Sequence, residues 1–361
     1  MFKNRHLFTY SHLFVKAGFS LRRLLYLMAA VLSAAGIILA GIYVYYQNRA
    51  QELGFDNTAT REYGRHYVFV SSDFSQMMQD IFDDIYQACD STGAYLEWCG
   101  RGMQRKYTAA EAVDMAIAMG ADGIILYPDG SSALEESIAK AQDEGTPVVT
   151  ILRDLSDSVR VSYVGVSNYQ MGEQYGGWLL SLMKKGTSRV CLLQDSGDSE
   201  NEIQLLFTQT VQAVHNGSSD DEKMELSTRS VDSTVDFDAE EVIRNILLGE
   251  NRPDILICRN SVQTECAIQA LVDYNLVGKV QVIGYYVTDT ILSALRQDLI
   301  PVTMMIDTRA LGEDCAQALD EYLDMERTSN YYNIRLDSIT PVTMDRYAEA
   351  DLPEDSGEEA A

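Results

Sequence analysis

Short apolar runs alternate with amphipathic stretches along most of this 361-residue chain. The clearest unit lies within 121–177. Ile124, Ile125 and Leu126 form an apolar run that ends at Tyr127-Pro128. Ser132 then opens a helical pattern, with Glu135 three residues on as a capping box. Leu134, Ile138 and Ala141 repeat on one helix face. Gly145 ends the pattern, and Pro147 opens a second apolar run, Val148-Val149-Thr150-Ile151. Strand, helix and strand with short connections build parallel sheets. In an open parallel sheet, ligands bind beyond the carboxyl ends of the strands. Those ends here carry Tyr127, Asp129, Ser131, Arg153 and Asp154.

The same alternation predicts strands at His66–Val70, Tyr95–Cys99, Val161–Gly165, Val190–Leu193, Lys223–Leu226, Ile255–Cys258, Val280–Ile283, Val302–Ile306 and within Ile334–Val342. A first helix carries Met77, Met78, Ile81, Ile85 and Cys89 on its apolar side and stops at Gly93; a second carries Ala109, Ala112, Val113 and Ala116 and stops at Gly120. Further helices are predicted over 168–185, 200–214, 238–248, 262–274, 289–297 and 310–325. The fold class is α/β, with two doubly wound parallel-sheet lobes joined near 160–168.

The amino-terminal region reads differently. Leu24 to Tyr46 is uncharged, and as a helix it is about 35 Å long, enough to span a bilayer. Arg22-Arg23 just before it places residues 1–23 in the cytoplasm and the globular part outside a cell membrane. A cleavable signal peptide is the competing reading, with Ser33-Ala34-Ala35 as a small-residue site, but its apolar region usually runs about 7–15 residues. Residues 47–65 read as a polar stalk and 346–361 as a disordered acidic tail.

Charge sharpens this picture. The formal net charge is −26, yet residues 1–23 hold five basic residues and no acid. The remainder sets 23 Lys and Arg against all 54 Asp and Glu, a formal charge of −31. Such a surface repels phosphate backbones, which argues against nucleic acid as a partner. The six cysteines show no CxxC spacing, so a zinc or thioredoxin-like site is unsupported. A Cys89–Cys99 bridge between a helix and the next strand stays open on spacing. Only His66 and His215 lie beyond the apolar run. No Ser/His/Asp set, metal spacing or phosphate loop stands out, so no enzyme activity, metal or cofactor is expected.

Three stretches carry a resemblance. They are Asp122–Pro128 continued by Ser137–Asp154, then Ser162–Gly172, and Val282–Tyr285 at the matching distance. Together they resemble the ribose-type periplasmic sugar-binding proteins, whose fold is shared by the ligand domains of lactose-repressor-like regulators. The resemblance implies lobe one at 66–167 plus 307–337, lobe two at 168–306 plus 338–345, and a ligand held between them by hinge closure. It implies ligand contacts at Arg153 and Asn260. The family's stacking aromatics fall on Met77-Met78, with Phe74 nearby, and its Asp after the ninth strand falls on Tyr286. With the strand-end positions, the candidate ligand residues are Asp73, Phe74, Ser75, Met78, Tyr127, Asp129, Arg153, Asn260 and Tyr286. Arg153 also has a plainer reading as a partner of Asp154 or Asp157, and Asn260 as a helix cap. The implied function is capture of a carbohydrate by a single-pass, membrane-anchored binding protein that serves an ABC permease. The alternative is a ligand-sensing co-receptor for a membrane histidine kinase. A DNA-reading regulator would need a helix-turn-helix where residues 1–60 offer a membrane span.

Overall fold

The computed structural model describes residues 63–344 except 104, 156, 196, 220 and 234–236, together with Tyr26, Met28 and Gly36. The expected span at 24–46, most of the stalk and the acidic tail therefore lie outside the described residues. Among the described residues no helix is long and apolar enough to cross a membrane.

The first sheet is built from β1 (Arg65–Val70), β2 (Ala94–Trp98), β3 (Gly123–Leu126), β4 (Val148–Ile151) and β5 (Ser162–Gly165). Helices α1 (Gln76–Thr92), α2 (Ala109–Ala118) and α3 (Leu134–Asp143) connect the first four strands. Strands β3 and β4 read as continuous apolar runs because both of their faces are covered, whereas β2, at the edge, alternates buried and half-buried positions. Tyr67, Phe69 and Ile125 belong to one core with Met77, Met78, Ile81 and Ile85 of α1. Val68, Val70, Ile124 and Leu126 belong to the other, with Val113, Ala116, Leu134 and Ile138. Successive strand residues thus alternate between the two cores, as the pleat requires.

The second sheet holds β6 (Gly186–Asp195), β7 (Glu222–Val231), β8 (Ile255–Ile257), β9 (Gln281–Tyr285) and β10 (Val302–Ile306). Its helices are α4 (Asn168–Leu182), α5 (Glu200–Gly217), α6 (Asp238–Leu248), α7 (Ser261–Asp273) and α8 (Asp289–Arg296). The chain then returns to lobe one as α9 (Thr308–Met325), which packs on α1, and as β11 (Tyr331–Asn333). It ends in β12 (Leu336–Ile339). The strand orders are β11-β5-β4-β3-β1-β2 and β12-β10-β9-β8-β6-β7. Among the described residues every strand pairing is parallel except β10 with β12.

The chain passes between lobes three times, after β5, after β10 and after β11. The crossings are tied to one another through the backbone. The Ile334 N–H donates to the Gly165 carbonyl (2.9 Å) and the Asp307 N–H to the Arg335 carbonyl (3.2 Å).

Several expectations need correction. Strand β1 starts at Arg65, inside the stretch read as stalk, because Arg65 is anchored to Asp320 and Asp324 of α9. The second lobe takes up its last strand at Leu336 rather than 338. Ser132 caps nothing. Asp129 Oδ1 accepts the Ser131 N–H (2.9 Å) and the Leu134 N–H reaches the Ser131 carbonyl (3.1 Å), so α3 is entered through a turn. The capping box lies instead at Thr108 and Glu111, ahead of α2. No Cys89–Cys99 bridge forms. Both are free thiols, buried in different cores on opposite faces of the first sheet. Burial pushes the Cys89 thiol up to about 12.

Gly172 and Gly176 let α4 lie close against α5. A Cβ at Gly172 would stand 2.5 Å from Gln209 Cβ, and one at Gly176 2.4 Å from Ala213 Cβ. Gly176→Val should therefore lower stability by about 1–3 kcal/mol, the usual cost of overpacking. The urea midpoint of the variant against the parent measures it, and an unchanged midpoint would mean that α4 and α5 separate freely.

Candidate functional site

The carboxyl ends of both sheets meet. Loops after β1, β2, β3 and β4 supply lobe one, and those after β6, β7, β8 and β9 supply lobe two. Between them lies a cavity of about 270 Å³, lined by Asp73, Phe74, Tyr127, Asp129 and Arg153 together with Ser72, Lys106, Tyr107, Thr108, Asp195, Gly197, Asp232 and Ser233.

Arg153 closes the floor of this cavity. It leaves β4, is 8% exposed, and each of its three guanidinium nitrogens meets protein. Nη1 donates to the Pro128 carbonyl (2.9 Å), Nε to Asp198 Oδ1 (3.2 Å), and Nη2 lies 3.3 Å from Asp195 Oδ2. The plane sits 4.4 Å above the Tyr127 ring. Neither Asp154 nor Asp157 is its partner; Asp154 pairs with Arg160 at 2.6 Å. Asp198 is shared, since its other oxygen accepts from Arg259 and from the Asp195 N–H (2.8 Å). Burial opposes the charge on Arg153, but Tyr127 and the carboxylates Asp198 and Asp195 overcome it and hold the group cationic. The result is a dry guanidinium–carboxylate–guanidinium bridge between lobes, the geometry for which arginine is suited.

A second link runs beside it. The Asp154 N–H in lobe one donates to Glu202 Oε1 at the start of α5 (2.8 Å). Burial raises the Glu202 pKa, and the Asp154 hydrogen bond partly offsets this. Gly130, at φ +76°, meets Gly197 across the gap: a Cβ on Gly130 would stand 2.9 Å from Gly197 Cα. A Cβ on Gly197 would stand 2.3 Å from Arg153 Nη1.

The expected ligand residues divide into two groups. Asp73, Phe74, Tyr127, Asp129 and Arg153 come together in the cavity. Ser75, Met78, Asn260 and Tyr286 do not line it. Ser75 is the cap of α1 and accepts the Met78 N–H. Met78 is fully buried in the core, because the helix turns that position onto the sheet. Asn260 caps α7 by accepting the Gln263 N–H (2.8 Å), and its amide donates to Asp195 (2.7 Å) and Ser233 (2.8 Å). Both amide hydrogens are thereby used. Asn260 acts by fixing Asp195. Tyr286 is 2% exposed at φ +72° and donates to Asp80 of α1 (2.9 Å), so it bridges the lobes.

The sequence offers the loop Gln194–Gly197, and with it Asp195, as a strand-end turn able to hold a hydroxyl, with an ordinary turn as the plainer reading; Asp198, Arg259, Asp232, Ser233, Lys106 and Tyr107 were not singled out as site residues. The one available signal was position: Asp195 and Asp232-Ser233 follow strands that point at the cleft.

Comparison with known proteins agrees with this geometry. The family model described as "Periplasmic binding protein domain" matches residues 67–327. The ribose import binding protein RbsB of Bacillus subtilis (strain 168) is 25% identical over 215 residues, 58% of this chain and 66% of that relative, just under two thirds of its length. GanP, a glucose-galactose binding protein from Geobacillus stearothermophilus, superposes with a TM-score of 0.67 at 20% identity, over 81% of this chain and 100% of that one. The structure called the XylFII–LytSN complex gives 0.64 at 23% identity, over 77% and 98%. These last two likenesses establish the fold.

Asp198→Ala would leave Arg153 and Arg259 buried and facing each other without their shared carboxylate. Breaking such a bridge typically costs about 3–5 kcal/mol. Chemical denaturation should show that loss; a change below about 1 kcal/mol would place the bridge among solvent-screened pairs.

Proposed function

The chain belongs to the periplasmic binding protein domain family, and from that premise we propose that it captures a sugar or sugar-like molecule between its two lobes for an ABC-type importer. One observation carries the reading: a polar cavity of about 270 Å³ at the strand ends, walled by both lobes. Its lining suits a polyhydroxylated ligand. Hydroxyl, carboxylate and cationic groups converge on it, and the Phe74 ring stacks on Trp98 with centroids 5.3 Å apart, offering an apolar shelf. Pockets with a few convergent polar groups on an apolar wall are the common form of small-molecule sites. The relatives support this, being named as ribose import and glucose-galactose binding proteins. They are binding proteins, which fits a chain with no enzyme activity.

In this reading residues 24–46 anchor the domain, with 1–23 in the cytoplasm and 47–361 outside. A hinge at the three crossings lets the lobes close, since closure asks only a few linker residues to change φ and ψ. Arg153 and Asp198 hold the lobes together, while Asp73, Tyr127 and the loop at Asp232 meet the ligand.

A second reading has its own support. The fold likeness extends to the XylFII–LytSN complex. A protein span, unlike a lipid, offers helix faces that pack on the spans of a neighbour. Under this reading the same capture is reported to a membrane histidine kinase.

Two experiments test these proposals. Protease added to intact spheroplasts should degrade the globular part, and its protection would reverse the topology. Deleting the gene should abolish uptake of the cognate sugar. If uptake persists while sugar-induced transcription is lost, the sensor reading replaces the importer.

A further inference from the structure

The lining of the interlobe cavity is unbalanced in charge. Four carboxylates, Asp73, Asp129, Asp195 and Asp232, face two cationic side chains, Lys106 and Arg153. Arg153 is already committed to Asp195 and Asp198. Lys106 is exposed at the rim. Asp129 has given both oxygens to backbone, to Ala109 N–H (2.8 Å) and Ser131 N–H (2.9 Å).

Asp73 differs from these. Its carboxylate is half-buried at the cavity wall, accepts the Ser75 N–H (2.8 Å) and has the Ser75 side chain beside it, but no cationic side chain is in hydrogen-bond contact with it among the described residues. Burial raises its pKa, and the Ser75 hydrogen bonds and the more distant Arg153 charge only partly offset the cost. A desolvated carboxylate is costly unless a positive charge or several donors meet it.

Tyr127 independently marks the same cavity as a place for a ligand. It lines the cavity, is 7% exposed, and its hydroxyl has no hydrogen-bond partner among the described residues. Burial keeps that phenol protonated, so it both donates and accepts. A hydroxyl that opens onto the cavity with no protein partner is free to exchange a solvent hydrogen bond for one to a ligand hydroxyl.

Building on the carbohydrate reading above, we propose that the ligand is an amino sugar with a free, protonated amine, and that Asp73 receives the ammonium while Tyr127 reads a hydroxyl. A neutral sugar would bond to Asp73 but leave the lining's excess negative charge in place. An ammonium neutralises part of it inside a water-poor cleft, where a charge-assisted hydrogen bond is strongest. The acidic surface of residues 24–361 adds to the effect, since it concentrates cations around the domain.

Isothermal titration of the full-length protein in detergent tests this, with glucosamine and galactosamine set against glucose, galactose and N-acetylglucosamine. Each amino sugar should bind roughly tenfold or more tightly than its neutral parent, as one charge-assisted bond allows. N-acetylglucosamine keeps the nitrogen and loses the charge, so it should bind no better than glucose. Asp73→Asn keeps the acceptor for Ser75 and should close the gap between charged and neutral sugars. Neutral sugars that bind as tightly as charged ones would overturn the proposal and leave the carbohydrate reading standing. A gap that survives Asp73→Asn would remove Asp73 from the role assigned to it. Absence of binding by every sugar would overturn both.

Discussion

A guanidinium that rises from one sheet and finds its carboxylates on the other holds the halves of this molecule in register. Arg153 reaches Asp198 and Asp195, and Asp198 reaches on to Arg259. Such a bridge is a poor source of raw stability, because desolvating each charge consumes most of what the pairing returns. Its value lies in geometry. A planar fork accepts its partners in few orientations, so the bridge fixes both the separation and the rotation of the strand ends. Gly130 and Gly197 fit that separation, since either side chain larger than hydrogen would collide with the opposite loop or with Arg153 itself.

This arrangement changes what the cleft has left to offer a ligand. The arginine that resembles the family's ligand-reading residue is spent on the protein. The amide of Asn260 is spent too, on capping α7 and steadying Asp195. In the reading proposed above, recognition passes to Asp73 and Tyr127. The cavity keeps an acidic excess, because the pairing that neutralises its most buried cation also consumes Asp195 and leaves Asp73, Asp129 and Asp232 set against Lys106.

Much of the architecture was legible because the pattern was redundant. Fully covered strands such as Gly123–Leu126 and Val148–Ile151 appear as uninterrupted apolar runs, and helices such as Asp238–Leu248 carry a clear one-sided period. Strands that lacked this contrast were shortened or missed. Strand β7 runs ten residues beside β6, yet Ser227, Thr228, Arg229 and Ser230 read as loop because an edge strand wets one side. Strand β11, Tyr331–Asn333, is short and half exposed, and it announces nothing. At the site, single positions after strands were legible, whereas partnerships were not. That Arg153 pairs with residues 42 and 45 positions away, across a lobe boundary, depends on how two sheets face one another. No local spacing encodes it. Ser132 shows the reverse failure: its local signal was sound, but Asp129 captured the turn first.

The links between the lobes divide into two kinds, and the division bears on how closure would work. The crossings are bonded to each other by backbone groups, Ile334 to Gly165 and Asp307 to Arg335. Backbone bonds of this kind tolerate almost any side chain and fix where the axis lies. The contacts between strand ends are made mainly by side chains, Arg153 to Asp198 and Tyr286 to Asp80, with Glu202 meeting a backbone N–H. These depend on the lobe angle, because a few degrees of opening at the crossings carries the strand ends apart by ångströms. A hydrogen bond does not survive such a displacement. The axis is thus set by connectivity and the angle by a small number of charged contacts. A ligand entering the cavity beside Arg153 acts on those same contacts, which is the condition for binding and lobe angle to be coupled.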